Sequence, residues 1–179
     1  MNRSTIVKFH LVLAGFFLPF FIFVPLSGGL YLAGEKGTFT ETLDFVIEEK
    51  LPESKQLFEK RVWEVFREQG ISYEFEYAKM RGESSADLRP TSEAHYRIRY
   101  KDGKTEFIYV EPDIWKSLLE LHMGHGPLAV KWLSMFFALG LLMIGFSGTY
   151  MAFSGSDQKK PLVISAALGL GLFFLLLNI

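Results

Sequence analysis

Nineteen of the twenty acidic residues lie between Glu35 and Glu120, and Asp157 is the only one outside that window. A water-soluble fold spreads its carboxylates along the chain, whereas a lipid-embedded one excludes them from its spans. Phe9 to Ala33 carries no formal charge, nor does Leu133 to Phe153 or Pro161 to Ile179. At 1.5 Å per residue the first run makes a helix of roughly 37 Å, enough to cross the hydrocarbon with some tilt. The pattern predicts a membrane protein of three transmembrane helices with one polar segment inserted between the first two. A cleaved signal peptide with a small-residue site near Ser27 and Gly29 is the alternative for the first run, which is long for that role.

Short flanks set the expected orientation. Arg3 and Lys8 precede the first span, and Lys159 and Lys160 join the second to the third, so both flanks belong on the cytoplasmic side. The expected organisation is a tail and first span over 1–34, an outer module over 35–113 and an interfacial helix and turn over 114–126. The second span, a cytoplasmic loop and the third span follow over 127–153, 154–160 and 161–179.

Other classes fall away on composition. The chain has no cysteine, which removes disulfides, thiolate metal sites and a cysteine nucleophile. A net charge of −1 leaves no electrostatic footprint for nucleic acid. No Ser/His/Asp arrangement, phosphate loop or paired-carboxylate motif is readable. No catalytic residue is assigned, and the chain reads as no enzyme on its own.

Within the module, Thr42 caps an expected helix through Leu43, Val46, Ile47 and Leu51. Ser54 caps a second one through Phe58, Val62, Val65 and Phe66, ended by Gly70. The apolar period then becomes two at Ile71, Tyr73, Phe75 and Tyr77, and again at Tyr96, Ile98 and Tyr100. Asp102-Gly103 marks a hairpin into a strand from Thr105 to Val110. Residues 82–91 read as a polar loop. Two helices and a three-stranded antiparallel meander make a small α+β module. Arg97 and Arg99 share an expected sheet face with His95, a basic stripe suited to an acidic partner.

Beyond Pro112, Trp115, Leu118, Leu119 and His122 recur at helical spacing, with Lys116 and Glu120 on the other side. This predicts an amphipathic surface helix with Trp115 at headgroup depth. Gly124, Gly126 and Pro127 then break and restart the chain. Pro19 and Pro25 are expected to bend the first span. Small residues at Ser27, Gly28 and Gly29, at Ser147 and Gly148, and at Gly169 and Gly171 suit close helix contacts with other helices or a partner.

The order of Phe9-His10, Ser27-Gly28, Phe107 to Pro112, Leu121-His122 and Gly145 to Tyr150 resembles the PepSY-associated transmembrane family. That family places a "V-D-P" turn, an "L-H" pair and a "T-G-x-Y" span exit in this sequence. The turn here, Glu111-Pro112-Asp113-Ile114, lacks the usual following glycine, and larger relatives often have four spans. The resemblance implies a PepSY-like module in a bacterial inner membrane, an N-terminus inside and residues 35–126 in the periplasm. It implies an accessory subunit docked on an assembly for iron uptake or electron transfer, with other membrane proteins or a second copy as partners. A haem-b-binding subunit of a ferric-siderophore reductase and a protease-restraining module are its alternatives.

His122, His125 and His10 are the haem candidates under that resemblance. His10 lies across the bilayer from the other two, and those two are too close in sequence to clamp one macrocycle, so a second chain would have to complete the ligand set. Zinc on Glu120, His122 and His125 lacks further ligands, and no metal site is assigned. The preferred reading is structural: His122 polar at the interface, His125 in a turn, His10 near the cytoplasmic water.

Overall fold

A computed structural model describes residues 3–82, 85–155 and 158–177. The first two residues of the expected tail, the last two of the expected third span, part of the 154–160 loop and part of the 82–91 loop therefore lie outside the described residues. The elements in chain order are α1 (Arg3–Leu32), β1 (Phe39–Ile47), α2 (Lys55–Glu68), β2 (Tyr77–Arg81) and β3 (Ser85–Arg89). Next come β4 (His95–Lys101), β5 (Lys104–Pro112), α3 (Ile114–His122), α4 (Leu128–Phe153) and α5 (Lys159–Leu177). Three helices, α1, α4 and α5, are long and apolar enough to cross a membrane. The chain divides into two compact units, one formed by the chain up to Phe21 and from Met135 onward, the other by Ile22–Ser134.

The first unit is helical. Its centre is Phe17, 4% exposed, with Phe137 at 5.5 Å between ring centroids and Phe20 stacked on Phe137 at 5.1 Å. Gly140 is what admits the Phe17 ring, because a Cβ there would occupy the ring's own space. The phenylalanines of α1 thus split, with Phe17 inward and Phe16 and Phe23 exposed. The helix runs unbroken through Pro19 and Pro25.

The second unit is built on a five-stranded antiparallel sheet in the order β1-β5-β4-β3-β2, where a three-stranded meander was expected. Phe58, Val62, Val65 and Phe66 of α2 meet Leu88, Ile98 and Phe107 of the sheet to form the core. Phe66 touches Phe45, Tyr73, Tyr96 and Phe107. A cavity in its place would cost about 3–5 kcal/mol.

Three expectations need correction. The helix expected from Thr42 is the edge strand β1, paired with β5 from Phe39↔Pro112 to Ile47↔Thr105. A register shift between Leu43 and Phe45 breaks the two-residue alternation and leaves apolar residues at helix-like intervals. Leu43 and Val46, assigned to a buried helix stripe, are exposed. The strand expected from Ile71 begins only at Tyr77. Tyr73 and Phe75 still face the core, packing on Phe66 and, in a stack at 4.6 Å, on Trp63. The polar loop contains a strand, β3, whose Asp87 and Arg89 are as buried as its Ala86 and Leu88.

The hairpin turn is as expected. Asp102 and Gly103 both have positive φ, 52° and 81°, and close the pair Lys101↔Lys104. On the second sheet face Arg97 bonds both Glu41 and Asp87, and Asp87 also pairs with Arg81 at 2.5 Å. Arg97 of the expected basic stripe is thus paired internally, while Arg99 lies 3.9 Å from the same Glu41.

Candidate functional site

The polar chemistry of the second unit converges where β3 leaves the sheet and α3 begins the approach to α4. Asp113 starts α3, accepting from the Lys116 backbone N–H at 2.7 Å and from Thr38 N and Oγ1 at 2.8 and 2.9 Å. Gly37, at φ +62°, has to be glycine because a Cβ would fall on Asp113 and Lys116. These contacts set the rotation of α3, and with it the direction of Glu120.

Glu120 is 5% exposed and has four cationic or hydroxyl neighbours. Its Oε2 accepts from Thr91 Oγ1 and from His125 Nδ1, each at 2.7 Å, and lies 3.5 Å from Arg89 Nη1. Its Oε1 is 3.1 Å from Lys116 Nζ. Arg89 in turn donates to Thr91 Oγ1, and the Thr91 backbone N–H bonds the His125 carbonyl at 3.1 Å. Burial opposes ionisation of Glu120. The bonds from Thr91, His125 and Lys116, with the lysine's charge, outweigh it and hold the carboxyl below its ordinary value. The carboxylate is the hub of a clamp joining strand, loop, helix and turn.

A second carboxylate supports the same junction. Glu76 accepts the Leu128 backbone N–H at 2.6 Å, capping the first turn of α4, and lies 3.4 Å from Lys131 Nζ. On α3 Glu120, expected on the polar side, is as buried as Leu119, while Ile114 and Trp115 are exposed.

The histidines take separate places. His122 Nδ1 lies 3.0 Å from both Ser27 Oγ and the Val24 carbonyl. The carbonyl accepts only, so Nδ1 carries the proton and is the donor. The ring's Cε1 would stand 3.3 Å from a Cβ at Gly28, with Nε2 at 3.8 Å. His10 repeats the pattern in the first unit, with Nδ1 2.9 Å from Ser147 Oγ and Cε1 over Gly148 at 3.6 Å. Ser27 and Ser147 each donate to a carbonyl three residues back, Val24 and Ile144. Each Ser-Gly pair is a socket for an imidazole of the same unit. Gly29 has nothing within 4 Å of its Cβ position.

Haem is the group that the family resemblance would place on these histidines. Nδ1 of His122 and of His10 is engaged by a serine, which leaves Nε2 as the remaining ring nitrogen, and the His122 Cε1 edge lies against α1 at Gly28. His125 lines an open cavity whose walls mix Lys55, Lys79 and Arg89 with Tyr77, Ala78 and Met80. Among the described residues His125 is the one histidine on that wall, so the wall offers no second axial ligand. Among the described residues no group of three or more His, Asp or Glu side chains is placed to hold a metal ion. Glu120 and His125 meet, but His122 turns away to Ser27.

Arg89 and Thr91 escaped the sequence reading. Their one signal is Arg89-Pro90-Thr91-Ser92, a short polar run whose meaning depends on Glu120, twenty-nine residues later. His95, fully buried, bonds the Glu93 carbonyl through Nδ1 at 2.8 Å, and its Nε2 has no partner among the described residues.

Fold and site define a chain with three potential membrane-crossing helices and a five-stranded sheet module whose loop, surface helix and turn are joined by one buried carboxylate. Comparison with protein-family models, curated proteins and solved structures gave no match.

Proposed function

We propose that this chain is an accessory subunit of a larger membrane assembly, its sheet module held at the bilayer surface as a docking platform. The observation that carries the reading is the clamp on Glu120. Buried ion pairs are poor sources of net stability but fix one geometry, since breaking them strands a charge. A network that ties β3 and the 90–92 loop to α3 and the turn before α4 holds these parts of the module in one geometry.

Two further features suit a partner. β1 and β2 end the sheet, each with one edge unpaired. α5 buries none of its described residues, and Gly169 and Gly171 have open space where a Cβ would stand. Small residues of this kind let a neighbouring helix approach closely. The module is PepSY-like on the resemblance of its motifs, and the assembly it joins serves iron uptake or electron transfer on the same ground. The membrane is the bacterial inner membrane, with the N-terminus in the cytoplasm and residues 35–126 in the periplasm, as the lysines and arginines flanking the spans favour.

Extraction from native membranes in mild detergent tests the proposal. The expected product is a stoichiometric complex with another membrane protein or a second copy. A chain that elutes as a lone monomer at native abundance contradicts it.

A further inference from the structure

A cavity of about 400 Å³ opens beside the clamp, lined in part by Lys55, Tyr77, Lys79, Arg89 and His125. That volume falls within the roughly 300–1,000 Å³ of small-ligand pockets. We propose that it binds a phosphate group, and that the phosphate belongs either to a phospholipid headgroup or to a free phosphate compound.

The first argument is charge. Lys55, Lys79, Arg89, Lys116 and Lys131 stand on or beside the wall, against the carboxylates of Glu59, Glu76 and Glu120. On the wall itself stand three cations, Lys55, Lys79 and Arg89, and no carboxylate among the described residues. Glu59 already accepts the Ala78 N–H at 2.7 Å and reaches Lys55 only at 3.9 Å. Lys79 makes no ion pair among the described residues.

The second argument is the state of the donors. Arg89 is 3% exposed, its Nη1 serves Thr91, and its Nε has no acceptor among the described residues. An unmatched buried donor is costly, and a guanidinium suits phosphate oxygens geometrically. His125 gives Nδ1 to Glu120, which fixes the ring and leaves Nε2 as its remaining polar atom. The clamp thus fixes two of the residues that line the cavity.

The third argument is depth. His125 lies three residues before Leu128, the start of a helix apolar enough to span a membrane. Lys131, in that helix's first turn, lies 5.1 Å from the Tyr77 ring centroid, and Lys55 lies 4.9 Å from the same centroid. A cavity at the head of a span sits at the level of lipid phosphates, which favours a headgroup.

The test uses the full chain purified in a phosphate-free maltoside detergent. Thermal shift is followed on adding phosphatidylglycerol or inorganic phosphate, for the wild type and for the Lys55→Gln/Lys79→Gln double variant. Both lysines are exposed, so the variant retains its fold, checked by circular dichroism. Stabilisation by phosphatidylglycerol that needs at least tenfold more lipid in the variant supports the headgroup. Stabilisation by millimolar inorganic phosphate, weakened in the same way, supports a free phosphate compound. No shift with either probe, or a shift equal in both proteins, overturns the proposal.

Discussion

His95 shows how a single side chain couples this fold to pH. Burial disfavours its imidazolium, so its folded pKa lies below the ordinary 6.5. The unfolded chain therefore takes up a proton that the folded chain refuses, and stability is lost as pH falls below about 6.5. Glu120 acts in the same direction at lower pH: its carboxyl is held below the usual range, and its contribution disappears as pH falls through that depressed value. The melting temperature should decline between about pH 6.5 and 5, and His95→Gln, which keeps a donor for the Glu93 carbonyl, should flatten that decline. An unchanged slope in the variant would assign the effect elsewhere. The histidines nearest the spans make a different prediction. Seated in Ser-Gly sockets, His10 and His122 leave a preparation from haem-supplemented cells without a Soret band. A band abolished by His122→Ala or His125→Ala would place haem on that histidine.

β1 carries the sharpest disagreement between local pattern and final structure. Phe39 to Ile47 is rich in aromatic and β-branched residues, as strands are, but the shift at Asp44 disguises the alternation. Asp44 is held there by the Tyr96 hydroxyl at 2.6 Å, a contact between residues fifty-two apart. Such a contact is invisible to a local window. β3 was hidden for a related reason. Its alternation is obscured because Asp87 and Arg89 are buried through ion pairs made by β2, β4 and α3. By contrast α2, the Asp102-Gly103 turn and the three long apolar helices rest on local rules and were legible. For β1 the check is covalent. With no native cysteine, Thr40→Cys/Glu111→Cys joins partners in the β1–β5 register and should cross-link under mild oxidant. A helix over these residues would leave the pair reduced.

In the assembled chain, apolar patterning located the helices apolar enough to cross a membrane and the module, while the device that joins loop, α3 and turn had to be seen. Glu120 looked like one solvated charge of an amphipathic helix, and only its neighbours from β3 and the 90–92 loop make it a hub. Hydrogen exchange on Glu120→Gln, in detergent and beside the wild type, puts that hub to the test. Loss of a buried charge that pairs with two cations should cost about 3–5 kcal/mol. The loss of protection should be confined to residues 89–92, α3 and the 123–127 turn, with α2, β4 and β5 still protected. Protection unchanged in α3 and the turn, or lost evenly across the sheet, would contradict a clamp centred on Glu120.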